Sequence, residues 1–169
     1  MKSIRLIGVT LLLLTSFISA KAQANLSTSI NNVTTAYLDV KDALVKDNGA
    51  TAESKAKTLC DQISAVQTKD MSAKQQGVWK NCVDKLGFDS RHISETATID
   101  HQREHFASLS KNMYAVLKAF PVNGNDLYME YCPMKKASWL SDKSAIENPY
   151  YGKSMLTCGG VKETLKAAK

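Results

Sequence analysis

Several features are missing from this 169-residue sequence, and each absence argues against a class of protein. Beyond residue 18 there is no long apolar run, and the chain has no internal repeat and no low-complexity tract. A bilayer-spanning helix needs about 20 apolar residues, so we expect no membrane span after residue 22. No cysteine lies near the candidate cleavage site Ala20-Lys21-Ala22, which argues against a lipid-anchored lipoprotein.

The sequence also lacks a concentrated charge of one sign. Its formal net charge is +6, and removal of Lys2, Arg5 and Lys21 with the first 22 residues lowers it to +3. The remaining lysines are spread along the chain, with Lys135-Lys136 as the densest pair. A nucleic-acid binder is expected to carry a basic patch or stripe, so this class is not favoured and we expect no nucleic-acid partner.

The N-terminus has the pattern of a secretory signal peptide. Lys2 and Arg5 precede a short apolar run over residues 6–18, and a small-x-small site follows at Ala20-Lys21-Ala22. A basic region, a short apolar region and such a site are typical of secretory signals. We therefore predict a signal peptide over residues 1–22 and an exported, soluble protein that begins near Gln23, most simply in a bacterial periplasm.

Residues 23–121 are predicted to form a helical bundle. Apolar residues recur at helical spacing in four stretches, and polar or helix-breaking residues separate them. Asn48-Gly49 ends the first stretch, residues 68–72 form a turn with Ser72 as a helix cap, and Pro121 stops the last. Residues 87–90 also look like a break, which would start the fourth helix near Ser90. Short loops favour antiparallel neighbours, so the fold class is mainly α, a four-helix antiparallel bundle.

Residues 122–169 differ in character from the bundle. Leu127 to Tyr131 is a plausible short strand, residues 132–160 show no sustained helical period, and residues 161–169 are interpreted as a helical turn or a tail. A segment of this size is too small to fold alone. We predict that it packs on the bundle as part of the same domain.

Cys60 and Cys82 are predicted to face each other across a helical hairpin. The midpoint between them falls at Met71, inside the predicted turn, so an antiparallel arrangement places both thiols at the same level. An oxidising compartment favours a disulfide between them, which would add roughly 3 kcal/mol in the chain-entropy description. Two buried free thiols are the alternative. In either case the pair is interpreted as structural.

Cys132 and Cys158 have two possible interpretations, a site for a soft metal ion and a disulfide. Cys132-Pro133-Met134 places two sulfurs around a proline, and Met155 lies three residues before Cys158. Thiolate and thioether ligands favour Cu(I), with zinc or an iron–sulfur cluster as further possibilities. A second disulfide that joins the irregular segment to itself is the competing interpretation.

Two of the three histidines lie in a motif that is typical of zinc peptidases. Residues 101–105 match H-x-x-E-H, a zinc-peptidase motif, but a hydrolase also needs a third ligand, a general base and a cleft. The chain is small for such an enzyme, and we expect no enzymatic activity. His105 borders an apolar stripe and is the better candidate to join a metal site, with His101 after it. His92 is interpreted as a surface residue.

One combination of motifs resembles a known family. The motifs, in chain order, are Gln102-Arg103-x-x-Phe106-x-x-Leu109-Ser110, Tyr131-Cys132-Pro133-Met134, Trp139-Leu140-Ser141, Asn148-Pro149-Tyr150-Tyr151-Gly152 and Met155-Leu156-x-Cys158-Gly159. This order is similar to an exported bacterial domain of unknown function, found alone or at the C-terminal end of the periplasmic adaptor subunits of copper and silver efflux pumps.

The resemblance implies a role in heavy-metal handling and points to a set of ligands: Cys132, Met134, Met155 and Cys158, with His101 and His105 from the preceding helix. We therefore expect a periplasmic protein that binds Cu(I), with Ag(I) or zinc as alternatives. It would sequester the metal or deliver it to an efflux adaptor or another periplasmic carrier. The alternative is a structural or interaction module that is stabilised by disulfides and binds no metal.

Overall fold

A computed structural model describes residues 3–168 of the chain, with side chains from residue 23 onward. Four helices make up the first two thirds of the described residues: α1 (Ser3–Val45), α2 (Gly49–Ala65), α3 (Ala73–Ser94) and α4 (Ile99–Ala119). The predicted cleavage site lies within α1 but outside the residues whose side chains are described, so the signal peptide remains a prediction. No helix in residues 3–168 has the length and apolar character needed to cross a membrane.

Local side-chain chemistry explains where two of the helices begin. The Asn48 side chain accepts a hydrogen bond of 2.9 Å from the Thr51 backbone N–H at the start of α2. At the start of α3, Ser72 and Gln75 form a reciprocal capping box, which satisfies backbone donors that a helix end otherwise leaves unpaired. The predicted turn at residues 68–72 and the predicted cap at Ser72 are both confirmed.

The predicted break at residues 87–90 is wrong, because α3 continues through it to Ser94. Gly87 lowers helix propensity by about 1 kcal/mol, but Leu86 and Ile93 are fully buried on the same side of the helix. Their burial outweighs the local preference for a break. The turn into the fourth helix therefore comes at residues 95–98, and His92 belongs to α3 and not to the start of α4.

The C-terminal segment forms a small antiparallel sheet. Strands β1 (Leu127–Cys132), β2 (Ala137–Ser141) and β3 (Gly160–Leu165) lie in the order β2-β1-β3. The predicted strand at Leu127 is confirmed. The predicted helical turn or tail over residues 161–169 is wrong for residues 161–165, which pair with β1, with an irregularity in register between Met129 and Glu130.

The sheet packs on the bundle through a shared apolar core. Consecutive helices pack against each other, and β2 packs against α4. Trp139, Leu140 and Tyr150 from the C-terminal segment are buried in one cluster with Tyr37 and Phe106 of the helices. The Tyr37 hydroxyl accepts a hydrogen bond of 3.1 Å from the Leu140 backbone N–H. The predicted fold class, mainly α with a short-strand segment at the C-terminus, is confirmed.

Candidate metal site

The structure brings the two C-terminal thiols together. Cys132 ends β1 and is fully buried, whereas Cys158 precedes β3 and is partly exposed. Their Sγ atoms are 3.5 Å apart. A disulfide bond requires about 2.05 Å, and two sulfurs on one tetrahedral metal with bonds of about 2.3 Å are separated by roughly 3.8 Å. The spacing is therefore closer to that of two ligands of one metal than to that of a disulfide.

The surroundings of Cys132 favour its thiolate. Burial raises the pKa of this thiol, but hydrogen bonds from the Lys135 backbone N–H, the Asn148 side chain, Cys158 and the Met134 backbone N–H outweigh burial and lower the pKa overall. The pKa of Cys158 is raised, first by its hydrogen bond to Cys132 and then by burial. The surroundings thus favour deprotonation at Cys132 before Cys158, and the thiolate is the form that binds metals.

Asn148 fixes the position of Cys158. Its side-chain N–H donates to the Cys158 backbone carbonyl at 2.6 Å, and its side-chain oxygen accepts from the Tyr150 backbone N–H at 2.8 Å. Its own backbone N–H donates to the Leu156 carbonyl at 2.8 Å. Asn148 is fully buried, so one side chain organises the loop that carries the second thiol.

The rest of the Asn148–Gly152 motif ties this loop to the bundle. Arg103 of α4 donates from Nε to the Pro149 carbonyl at 2.8 Å and forms an ion pair with Asp47. Gly152 has a φ of 53°, and a Cβ there would lie 1.9 Å from Asp47 Oδ1 and 2.6 Å from the Arg103 guanidinium. The motif therefore needs glycine at 152, because a side chain would displace the ion pair.

Met134 and Met155 lie in the turns on either side of the thiols. Met134 is in the turn between β1 and β2, and Met155 follows the 3-10 helix Gly152–Ser154. The Met134 side chain is 64% exposed and that of Met155 is 38% exposed. The Cys158 backbone N–H donates to the Met155 carbonyl at 3.0 Å. Both thioethers are free of core packing and lie in the segments that hold the thiols.

The histidines form a cluster of their own. His101 and His105 of α4 lie beside His92 of α3, and one ring nitrogen from each lies within 4.8 Å of the others. His105 Nδ1 is 3.0 Å from Asp89 Oδ1 on α3. The side of α4 that carries His105 thus contacts α3, and among the described residues no cysteine belongs to this group. The predicted association of His101 and His105 with the two thiols has no contact to support it.

Cys60 and Cys82 are separate thiols in the structure. Cys82 is buried in the core, while the partly exposed Cys60 thiol donates to Ser90 Oγ at 3.2 Å. Burial raises the pKa of the Cys82 thiol. The two cysteines do occur on consecutive helices of one hairpin, as expected. The disulfide between them is not formed in this structure and stays a prediction.

Two further residues matter that the sequence interpretation missed. The sequence pattern predicts a helix break that includes Asp89, and His92, which has no partner pattern in the sequence, is interpreted as a surface residue. A helical register carried from Leu86 through Ile93 would have placed His92 on the helix before the H-x-x-E-H motif. Glu104, the acid of that motif, is exposed to solvent.

These features define a helical-bundle domain whose small C-terminal sheet carries a closely spaced thiol pair. The chain belongs to the family described as Protein of unknown function (DUF3347), whose sequence profile matches residues 33–125. The matched region contains the four-helix part from Val33 onward and all three histidines, and it ends before β1. Comparisons with curated proteins and with solved structures found no match.

Proposed function

We propose that this protein binds Cu(I) through Cys132 and Cys158, in a role of metal sequestration or delivery. The observation that carries the proposal is the 3.5 Å separation of the two sulfurs, which lie in direct contact. Cu(I) binding would release any remaining thiol proton to solvent, since metal ligands must be thiolates. Soft sulfur ligands select Cu(I), and Ag(I) or zinc are further occupants of such a site.

The exposure of the site suits transfer between proteins. Cys132 anchors the site from the buried end of β1, whereas Cys158 is only partly covered and both thioethers reach solvent. Rotation of the exposed Met134 or Met155 side chain would supply a third soft ligand. A centre that is buried on one side and open on the other lets an incoming ligand displace a thioether without unfolding the loop.

The cellular setting is part of the same proposal. The signal-peptide pattern supports export to a periplasm, and the resemblance to domains attached to efflux adaptors supports an adaptor or a periplasmic metal carrier as the partner. No catalytic role is assigned, because the thiol pair itself suffices for binding and the acid of the H-x-x-E-H motif points to solvent.

Anaerobic Cu(I) titration against a competing chelator tests this proposal. We expect one tightly bound equivalent in the reduced protein, and loss of that equivalent in the Cys132→Ser, Cys158→Ser variant. The matched control is Cys60→Ser, Cys82→Ser, which removes the same number of thiols and should keep the bound copper. Equal binding by both variants, or no binding by the wild type with its thiols reduced, would overturn the proposal.

A disulfide-stabilised interaction module is the second candidate. The specific observation in its favour is that the two sulfurs need to approach by only about 1.5 Å to reach disulfide length. A thiol count on protein isolated without reductant separates the two functions. A Cys132–Cys158 disulfide in intact-mass analysis, together with no copper uptake after reduction, would favour the module over the metal carrier.

A further inference from the structure

Three imidazoles converge at the end of the bundle where α3 turns into α4. His92 lies in the last turn of α3, and His101 and His105 are one helical turn apart near the start of α4. Their ring centroids are 4.6 Å apart for His92 and His105, 4.7 Å for His101 and His105, and 6.1 Å for His92 and His101. We propose that these three residues form a site for a divalent cation of the zinc type, separate from the thiol pair.

The spacing of the nitrogens fits this chemistry. A tetrahedral zinc ion with Zn–N bonds of about 2.0–2.1 Å holds its ligand nitrogens roughly 3.4 Å apart, and the three nitrogens here already lie within 4.8 Å of one another. The side chains of His92 and His105 are 34% and 18% exposed. Rotation of the partly exposed His92 ring would bring its nitrogen closer to that of His105, whose ring is held by Asp89.

Asp89 supplies an outer partner for the metal ligand. Its Oδ1 lies 3.0 Å from His105 Nδ1, which orients the other nitrogen, Nε2, as the metal-binding atom. Metal-ligating histidines almost always make such a bond to a carboxylate, carbonyl or water. Asp89 is 4% exposed and its Oδ2 is buried without a hydrogen-bond partner among the described residues. A cation on His105 would compensate this buried negative charge.

The remaining surroundings suit a binding site with one open position. Glu95 Oε2 lies 3.9 Å from His92 Nδ1 and places a second carboxylate near the cluster. The ring of Phe88, 47% exposed, lies 4.3 Å from the His92 ring and 5.7 Å from the His105 ring, so it shields one side of the site. Three imidazoles leave the fourth position of a tetrahedral ion to water or an incoming ligand.

The test uses the full chain with Cys132→Ser and Cys158→Ser, so that the thiol pair cannot compete and the outcome is independent of the proposed copper site. Zinc is titrated by calorimetry, and Co(II) serves as a probe whose visible bands report tetrahedral coordination. We expect one equivalent of each metal. The Co(II) spectrum should lack intense thiolate charge-transfer bands.

Variants at the cluster then locate the metal. His92→Asn and His101→Asn should each weaken zinc binding by more than the about 10–100-fold expected for Asp89→Asn, whose loss removes only an outer partner. Glu104→Gln is the matched control, since Glu104 lies within the same motif but faces solvent, and it should keep the parent affinity. Circular dichroism checks that each variant is folded. Absence of zinc binding by the folded parent, or binding that survives both His92→Asn and His101→Asn, would overturn the proposal.

Discussion

At the residue scale, the sulfur of Cys132 shows how hydrogen bonds can override burial. The thiol is fully buried, which by itself disfavours a thiolate. Backbone N–H groups of the following turn and the Asn148 side chain converge on the sulfur, and they lower its pKa. The hairpin turn after Cys132 and the loop around Asn148 therefore help to set the pKa of this thiol, in addition to carrying Met134, Met155 and Cys158.

The hydrogen bonds to the Cys132 sulfur predict how the thiol pair titrates. In a Cys60→Ser, Cys82→Ser background, the ultraviolet absorbance of thiolate should show its first midpoint below the about 8.5 of an unperturbed thiol. Asn148→Ala should move this midpoint upward, because it removes a donor to the Cys132 sulfur. Asn123→Ala is the matched control: it removes a buried asparagine that bonds Leu165 and Lys166 carbonyls, and should leave the midpoint unchanged. An unshifted midpoint in Asn148→Ala would contradict the assignment.

Glu130 is a second buried residue with an altered titration. It lies in β1 opposite Trp139 and is fully buried. Burial raises its pKa to about 7, while the nearby Lys41 acts in the opposite direction. Since the folded state binds this proton more tightly than the unfolded chain, the free energy of unfolding falls as the pH rises from about 4.5 to 7.

The Glu130→Gln variant should therefore gain stability relative to the wild type as the pH increases, by about 2 kcal/mol at pH 8. Urea unfolding at pH 5 and pH 8 measures the change. Glu163→Gln is a control in which the effect of pH on stability should have the opposite sign. Hydrogen bonds from Lys118 and Tyr114 lower the pKa of Glu163, so its removal should cost stability at pH 8 and not at low pH. If the free energy of unfolding changed with pH in the same way in the wild type and in Glu130→Gln, the raised pKa of Glu130 would be excluded as the cause.

At the scale of elements, α3 shows where sequence patterns succeed and where they fail. The capping box at its start could be read directly from Ser72 and Gln75, because capping is a local interaction. The continuation past Gly87 could not, because it depends on tertiary burial of Leu86 and Ile93. Because of the same error, the sequence pattern places His92 at the start of the fourth helix, whereas it lies in the last turn of α3.

Two glycine substitutions should have opposite effects on the stability of these elements. Gly87→Ala replaces a helix-interior glycine where an added Cβ meets no atom within 4 Å, so we expect a gain of about 0.5–1 kcal/mol. Gly152→Ala places a side chain at positive φ and against the Asp47–Arg103 ion pair, and should cost roughly 1–3 kcal/mol. Thermal unfolding followed by circular dichroism compares them. Destabilisation by Gly87→Ala would show that α3 is not continuous.

At the scale of the whole molecule, the described residues include two separate clusters of side chains that we propose as metal sites. The thiols belong to the C-terminal sheet and its loop, and the histidines belong to the α3–α4 hairpin. The four-helix class, the first strand and the pairing of Cys132 with Cys158 in one region could be predicted from periodicity and motifs. The separation of the histidines from the thiols could not, because it depends on which side of α4 meets α3 and which side meets the sheet.

Copper should stabilise the folded protein through the Cys132–Cys158 pair and not through the histidine cluster. A ligand that binds the folded state alone adds about 2.7 kcal/mol of stability at a free concentration of 100 times its dissociation constant. Cu(I) should therefore raise the melting temperature of the wild type and of His101→Asn equally. The Cys132→Ser, Cys158→Ser variant should show no increase. A smaller increase in His101→Asn would place the histidine inside the copper site.

X-ray absorption at the copper K edge of the Cu(I)-loaded protein decides whether copper sits on the thiol pair, because it reports the atoms bound to the metal. We expect a first shell of sulfur alone, with two or three scatterers from Cys132, Cys158 and one methionine, and an unchanged spectrum in the His92→Asn, His101→Asn variant. A first shell made of nitrogen would rule out copper binding by the thiols and move the metal to the histidine cluster.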